Sequence, residues 1–144
     1  MTRFIDTNMF LRYLTHPDTD EQRRKHEASS ALIQQVESGD EEAVTTESVF
    51  AEIMFVFCSR RQYGLDRAQG VDLVRPLIEM PSLELTGKST YLRAMDLFCT
   101  YSQLDIEDAI SAAFMERHGI AEIWSFDHDF DNIPGIVRVE PDVL

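Results

Sequence analysis

Apolar residues in this chain fall into two rhythms: short runs that end on an acid or a hydroxyl, and longer stretches that recur every three or four positions. The first short run, residues 2–6, reads as a buried strand ending on Asp6. Asn8 to Leu14 continues as a helical turn or two, stopped by His16-Pro17-Asp18. From Glu21 to Val36, the apolar Ala28, Leu32 and Val36 keep helical spacing, and Gly39 supplies the stop. A short strand at Ala43-Val44-Thr45 follows. Thr46 is placed to cap a helix running to about Gln62 and ending near Gly64. Asp66 caps a helix through Ile78 that Pro81 closes off, and Leu83-Glu84-Leu85 alternates as a short strand. Lys88–Tyr101 and Ile106–His118 are helical, the second stopped by Gly119. Glu122–Ser125 and Ile136–Val139 complete the pattern as strands, the last at an edge. Strands alternating with helices predict a parallel sheet covered on both faces.

Composition narrows the class. The chain has 144 residues, 44% of them hydrophobic, with 6 Gly and 5 Pro, which suits one globular domain over residues 1–144. Its two cysteines, Cys58 and Cys99, lie in apolar helical surroundings and are expected as buried thiols, not as a disulfide framework. No basic leader precedes the first strand, and no apolar run approaches the length needed to span a bilayer, so a soluble, cytoplasmic protein is expected. The net charge of −13 argues against a general coat for nucleic acid. It is unevenly spread: residues 94–144 hold two basic residues against eleven acids, a net of −9.

Four acids stand out. Asp6 follows the first strand, where it can cap a helix or hold a ligand, and Thr7 and Asn8 beside it can fix its orientation. Glu52 is the one charge within Val49–Cys58, and its helical neighbours Val49 and Val56 give it an apolar face. It either lies on a narrow solvated stripe or needs a compensating cation. Asp108 follows Asp105 by three, in a first helical turn where acids are favoured anyway, but Ala109, Ala112 and Ala113 would let that helix lie close to a sheet. Asp127 opens Asp127-His128-Asp129-Phe130-Asp131 just past a strand, with the Ser125 hydroxyl two residues before it. Asp131 reads as solvated, Phe130 as an anchor under the loop, and His128 as a solvated loop residue more readily than a ligand. Carboxylates at the carboxyl ends of neighbouring parallel strands would share the crevice where such sheets place ligands.

In their order these motifs resemble the PIN-domain nucleases, and within them the VapC-type toxin ribonucleases. The matching pieces are Phe4-Ile5-Asp6-Thr7-Asn8, Glu52 in Val49-Phe50-Ala51-Glu52-Ile53, and Leu104–Ala113 around Asp108. The last is Trp124-Ser125-Phe126-Asp127-His128-Asp129-Phe130 with Ile133-Pro134-Gly135-Ile136 behind it. The resemblance implies an α/β fold, a PIN-like three-layer α/β/α domain with a central parallel β-sheet. It further implies RNA cleavage dependent on Mg²⁺ or Mn²⁺, with Asp6, Glu52, Asp108 and Asp127 catalytic and Asp6, Asp108 and Asp127 as metal ligands. Asn8, Ser125 and Asp129 would support them. Ser125 stands where the family more often has Thr and keeps the hydroxyl. An all-oxygen donor set without a Cys or His cluster suits Mg²⁺ or Mn²⁺ better than zinc.

RNA contact would fall to Arg12, Arg60 and Arg61, with Arg23, Arg24, Lys25 and Arg67 as further basic positions. The resemblance also implies a homodimer and a small antitoxin partner, for which Phe55, Phe57, Leu97 and Phe98 offer apolar helical surface unless they fill the core. Two other classes compete. A PIN domain that binds RNA or protein without cutting would share the fold. A phosphoacceptor receiver domain would need an acidic pair after the first strand and a lysine after the last. Here Thr7 and Asn8 follow Asp6, and no lysine occurs beyond residue 88, so the receiver is set aside.

Overall fold

The computed structural model describes residues 1–142 and divides into two compact units, Met1–Lys88 and the segment from Ser89 on. The first unit runs β1 (Arg3–Phe4), α1 (Thr7–Leu14), α2 (Asp20–Ser38), β2 (Ala43–Thr45), α3 (Glu47–Cys58), α4 (Arg67–Ile78) and β3 (Leu83–Leu85). Its strands lie in the order β1-β2-β3, parallel throughout, with Arg3 opposite Ala43 and Ala43 opposite Leu83. Parallel neighbours cannot be joined by a tight turn, so a helix pair bridges each successive strand pair.

Local chemistry explains most of these boundaries. The Thr19 side chain accepts a hydrogen bond from Gln22 N–H to start α2, and Gly39, at φ 85°, closes that helix in the left-handed region. Asp66 and Gln69 form a reciprocal capping box at the start of α4. Gly70 inside α4 permits close packing on α3, since a Cβ there would stand 2.8 Å from Cys58 Sγ. The core of this unit includes Phe10, Ile33, Phe50, Ile53, Met54, Val74 and Leu83, all essentially buried, with the Phe10 and Phe50 rings 5.1 Å apart. After α4, Lys88 Nζ donates to the carbonyls of Met80 and Leu83, which ties it to the turn leading into β3, and its partial burial lowers its pKa.

Several expectations need correction. The first strand is shorter than residues 2–6 and exposed at Arg3 and Phe4; Ile5 is the buried position. Helix α3 stops at Cys58 rather than Gln62. Ser59 turns to extended backbone, and Gly64 N–H returns to Ser59 O at 2.8 Å, closing residues 59–64 into a turn. Neither cysteine is fully buried: Cys58 is half-buried and Cys99 exposed, and the two form no disulfide. Phe57 packs in the core, whereas Phe55 is 64% exposed.

The second unit holds α5 (Lys88–Thr100, beginning on the last residue of the first unit), α6 (Ile106–His118), β4 (Glu122–Trp124) and β5 (Val137–Val139), with one 3₁₀ turn at His128–Phe130. Strands β4 and β5 pair in parallel, Glu122 opposite Val137 and Trp124 opposite Val139. The intervening residues 125–136 are about the dozen a parallel crossover needs. Leu97 and Phe98 of α5 are buried. Arg93 of α5 grips Glu116 of α6 through two hydrogen bonds of 2.7 and 3.0 Å. Among the described residues, no helix is long and apolar enough to cross a membrane.

Candidate active site

Asp6, Asn8 and Glu52 belong to the first unit; Asp108, Ser125, Asp127 and Asp129 belong to the second. In the first, Ile5 carries the chain out of β1 under tight control. Its N–H donates to Val44 O at 2.9 Å, and its carbonyl accepts the buried Thr45 hydroxyl at 2.9 Å. Asp6 therefore leaves a fixed point. It occupies the N-cap position of α1 but makes no side-chain cap bond, so its exposed carboxylate is not consumed by capping. Thr7 is 5% exposed, and its hydroxyl donates to Glu52 Oε2 at 2.9 Å, not to Asp6. Glu52 is exposed on α3, which corrects the apolar surroundings expected from its neighbours. The exposed Phe55 widens the solvated face of that helix, and Thr7 fixes one carboxylate oxygen there.

In the second unit, the start of α6 and the turn after β4 bring three acids together. One carboxylate oxygen from each of Asp108, Asp127 and Asp129 lies within 4.8 Å of the others. Asp105 caps α6: its Oδ1 accepts Asp108 N–H at 2.7 Å, and Asp108 Oδ2 receives a longer bond from Asp105 N–H. This box fixes Asp108 in the first turn. Asp127 is held by its own loop, its N–H donating to Ser125 Oγ and its Oδ1 accepting Asp129 N–H, both at 2.9 Å. Phe130, buried at the end of the same turn, anchors the loop as expected.

Arg138 of β5 braces this loop from the other side. Its guanidinium donates to Asp131 Oδ1 at 2.8 Å and to Ser125 O at 3.1 Å. Asp131 is thus paired rather than merely solvated, and Arg138 holds its carboxyl below the usual range. His128 Nδ1 lies 2.8 Å from Asp131 Oδ2, which ties the ring to that pair. The lone arginine of the last strand carried no functional signal in the sequence; its bracing role depends on the β4–β5 pairing.

Electrostatics follow from this crowding. Burial, then the charge of Asp105, raises Asp108 to about 6 from an ordinary 3.8, with Asp127 adding to the rise. The charge of Asp127 also raises Asp129. Three carboxylates whose oxygens gather this closely, one of them reluctant to ionise, form a hard oxygen donor set that fits a divalent cation. Asp108, Asp127 and Asp129 would hold such an ion. Asp129 emerges as a full member of the cluster, where the sequence suggested a supporting role.

Comparison with known proteins agrees with the motif order. The family described as PIN domain matches residues 3–136, a span that takes in most of each unit. A VapC ribonuclease of Mycobacterium bovis and the ribonuclease VapC13 of Mycobacterium tuberculosis are each 34% identical over 143 residues. Each alignment covers 94% of this chain and 97% of the relative. A crystal structure of VapBC2 from Rickettsia felis, bound to a DNA fragment from its promoter, covers 99% of this chain and 100% of its own, with a TM-score of 0.39 and 11% identity.

Proposed function

This chain belongs to the PIN-domain family, and from that premise we propose that it is a metal-dependent endoribonuclease of the VapC kind, the toxin of a type II toxin–antitoxin pair. The observation that carries the proposal is the Asp108–Asp127–Asp129 cluster, a cation-ready group of acids in a chain with VapC ribonucleases as relatives along almost its whole length. The presence of these acids speaks against a scaffold that binds without cutting. We take residues 1–144 as one PIN domain, a reading supported by the family match over residues 3–136.

The ion in this proposal is Mg²⁺ or Mn²⁺, which would lower the pKa of an attacking water and offset charge on the phosphate. Asp108 and Asp127, together with Asp6, are the proposed ligands. Asp129 completes the cluster, and Ser125, whose Oγ accepts the Asp127 N–H, and Asn8, two positions after Asp6, are the proposed supporting residues. Glu52, with one oxygen engaged by Thr7, keeps Oε1 to accept a proton from the nucleophilic water. Arg12, Arg60 and Arg61 supply the positive contacts that RNA phosphates need on a chain of net charge −13. The partners are an RNA substrate, a small antitoxin and a second copy of the chain, in the cytoplasm.

The test is cleavage of RNA by the purified chain with Mn²⁺. Asp6→Asn is expected to abolish cleavage while leaving thermal unfolding intact, and EDTA to silence the parent protein. Full activity in either case would refute the proposal.

A further inference from the structure

A pocket of about 210 Å³ opens in the first unit between α1 and the turn that follows α3, lined by Asn8, Leu11 and Arg12 on one side and Val56, Gln62 and Tyr63 on the other. It adjoins the Thr7–Glu52 pair: Asn8 follows Thr7 directly, and Val56 lies one turn along α3 from Glu52. Its volume falls below the roughly 300–1,000 Å³ of pockets for drug-sized ligands, which leaves room for one flat ring system. Its chemistry is mixed. Leu11 and Val56 give apolar walls, and the Tyr63 ring, 54% exposed, is held against the buried Phe57 at a centroid distance of 5.2 Å. The amides of Asn8 and Gln62, the Arg12 guanidinium and the Tyr63 hydroxyl have no hydrogen-bond partner among the described residues.

We propose that this pocket binds one base of single-stranded RNA, stacked on Tyr63, with its polar edge on the Asn8 and Gln62 amides and the adjoining phosphate on Arg12. The proposal rests on the ribonuclease function above and specifies how that enzyme selects where it cuts. Unpaired bases are recognised through stacking on exposed aromatic rings and hydrogen bonds to their edges, and carboxamides match the donor–acceptor edge of adenine. Charge points the same way. Arg60 and Arg61 stand on the turn that presents Gln62 and Tyr63, both exposed and without an ion-pair partner among the described residues. On a chain of net charge −13, a pocket flanked by three arginines favours an anionic strand.

The chain carrying Asp6→Asn serves as a non-cutting background, so binding is read apart from cleavage. Short single-stranded oligoribonucleotides with one 2-aminopurine are titrated and their fluorescence followed. Quenching is expected on binding, with affinity falling roughly tenfold or more in Tyr63→Ala and recovering in Tyr63→Phe. Gln62→Leu, an exposed substitution, is expected to reduce the preference for adenine over uracil and, in the cutting-competent chain, to shift the bases found at cleavage sites. Absence of quenching in the background protein, or unchanged affinity in a folded Tyr63→Ala together with an unchanged preference in Gln62→Leu, overturns the base pocket and leaves the slot to a protein side chain. The two proposals separate cleanly. Cleavage by the parent with cut sites indifferent to these substitutions removes the pocket and keeps the nuclease, whereas base binding with no metal-dependent cleavage removes the nuclease and keeps the pocket.

Discussion

Asp108 shows how a residue's role is set by what surrounds it. As an acid three positions after Asp105 it needs no explanation beyond helix capping, and it does take part in the cap. Its pKa near 6 comes from burial and from Asp105, with a further contribution from Asp127. The folded state therefore holds this proton more tightly than the unfolded chain, where the ordinary value is 3.8. The resulting stabilisation is complete below the unfolded value and is lost as pH rises through about 6. In EDTA, Asp108→Asn is expected to raise the melting temperature relative to the parent at pH 7 and to lose that advantage near pH 4. A difference that is flat with pH, or reversed, would count against this assignment. The identity of the acid was legible in the sequence; its raised pKa was not, because that depends first on burial, which packing sets, and in part on Asp127, which arrives from another element. The same holds for Thr7, whose hydroxyl reaches Glu52 across 45 positions of sequence instead of orienting the adjacent Asp6.

Elements were legible where short-range chemistry sets their ends. Asp66 with Gln69, Asp105 with Asp108, and the left-handed Gly39 and Gly119 mark helix boundaries that depend on a few neighbouring residues alone. The Asp66 cap gives a direct test: Asp66→Ala is expected to cost about 1 kcal/mol in urea denaturation while leaving RNA cleavage unchanged. A cost indistinguishable from that of a neutral surface substitution would mean that the cap carries no stability. Boundaries set by backbone alone were less legible. Thr46 sits at the N-cap of α3 without a side-chain bond, and that helix ends early because Gly64 closes a turn onto Ser59. Periodicity cannot register such a backbone bond, and it carried the expected helix four residues too far.

For the molecule as a whole, charge is the property that most constrains its behaviour toward RNA. With a net −13, binding must depend on a few local cations, and Arg12, Arg60 and Arg61 are the proposed ones. Three phosphate contacts to a single strand correspond to a slope of about −2 in log affinity against log salt. Replacing Arg60 and Arg61 together with Gln is expected to weaken binding and flatten that slope by about 1.4. An unchanged slope in a folded variant would remove both residues from the interface.

The sequence by itself determined the order of strands and helices, most of their caps, the family, and the acids proposed to carry the chemistry. Periodicity, capping and residue type act over a few positions and so can be read along the chain. Tertiary structure decided which acids became neighbours. It joined Asp108 to Asp127 and Asp129, gave Thr7 to Glu52, and turned Arg138 onto the loop of Asp127 through Asp131 and Ser125. It also placed Asn8 and Tyr63 around one pocket. Those relations depend on how helical crossovers and parallel strands bring distant segments together, and no local pattern encodes the distance between two side chains that meet only after packing.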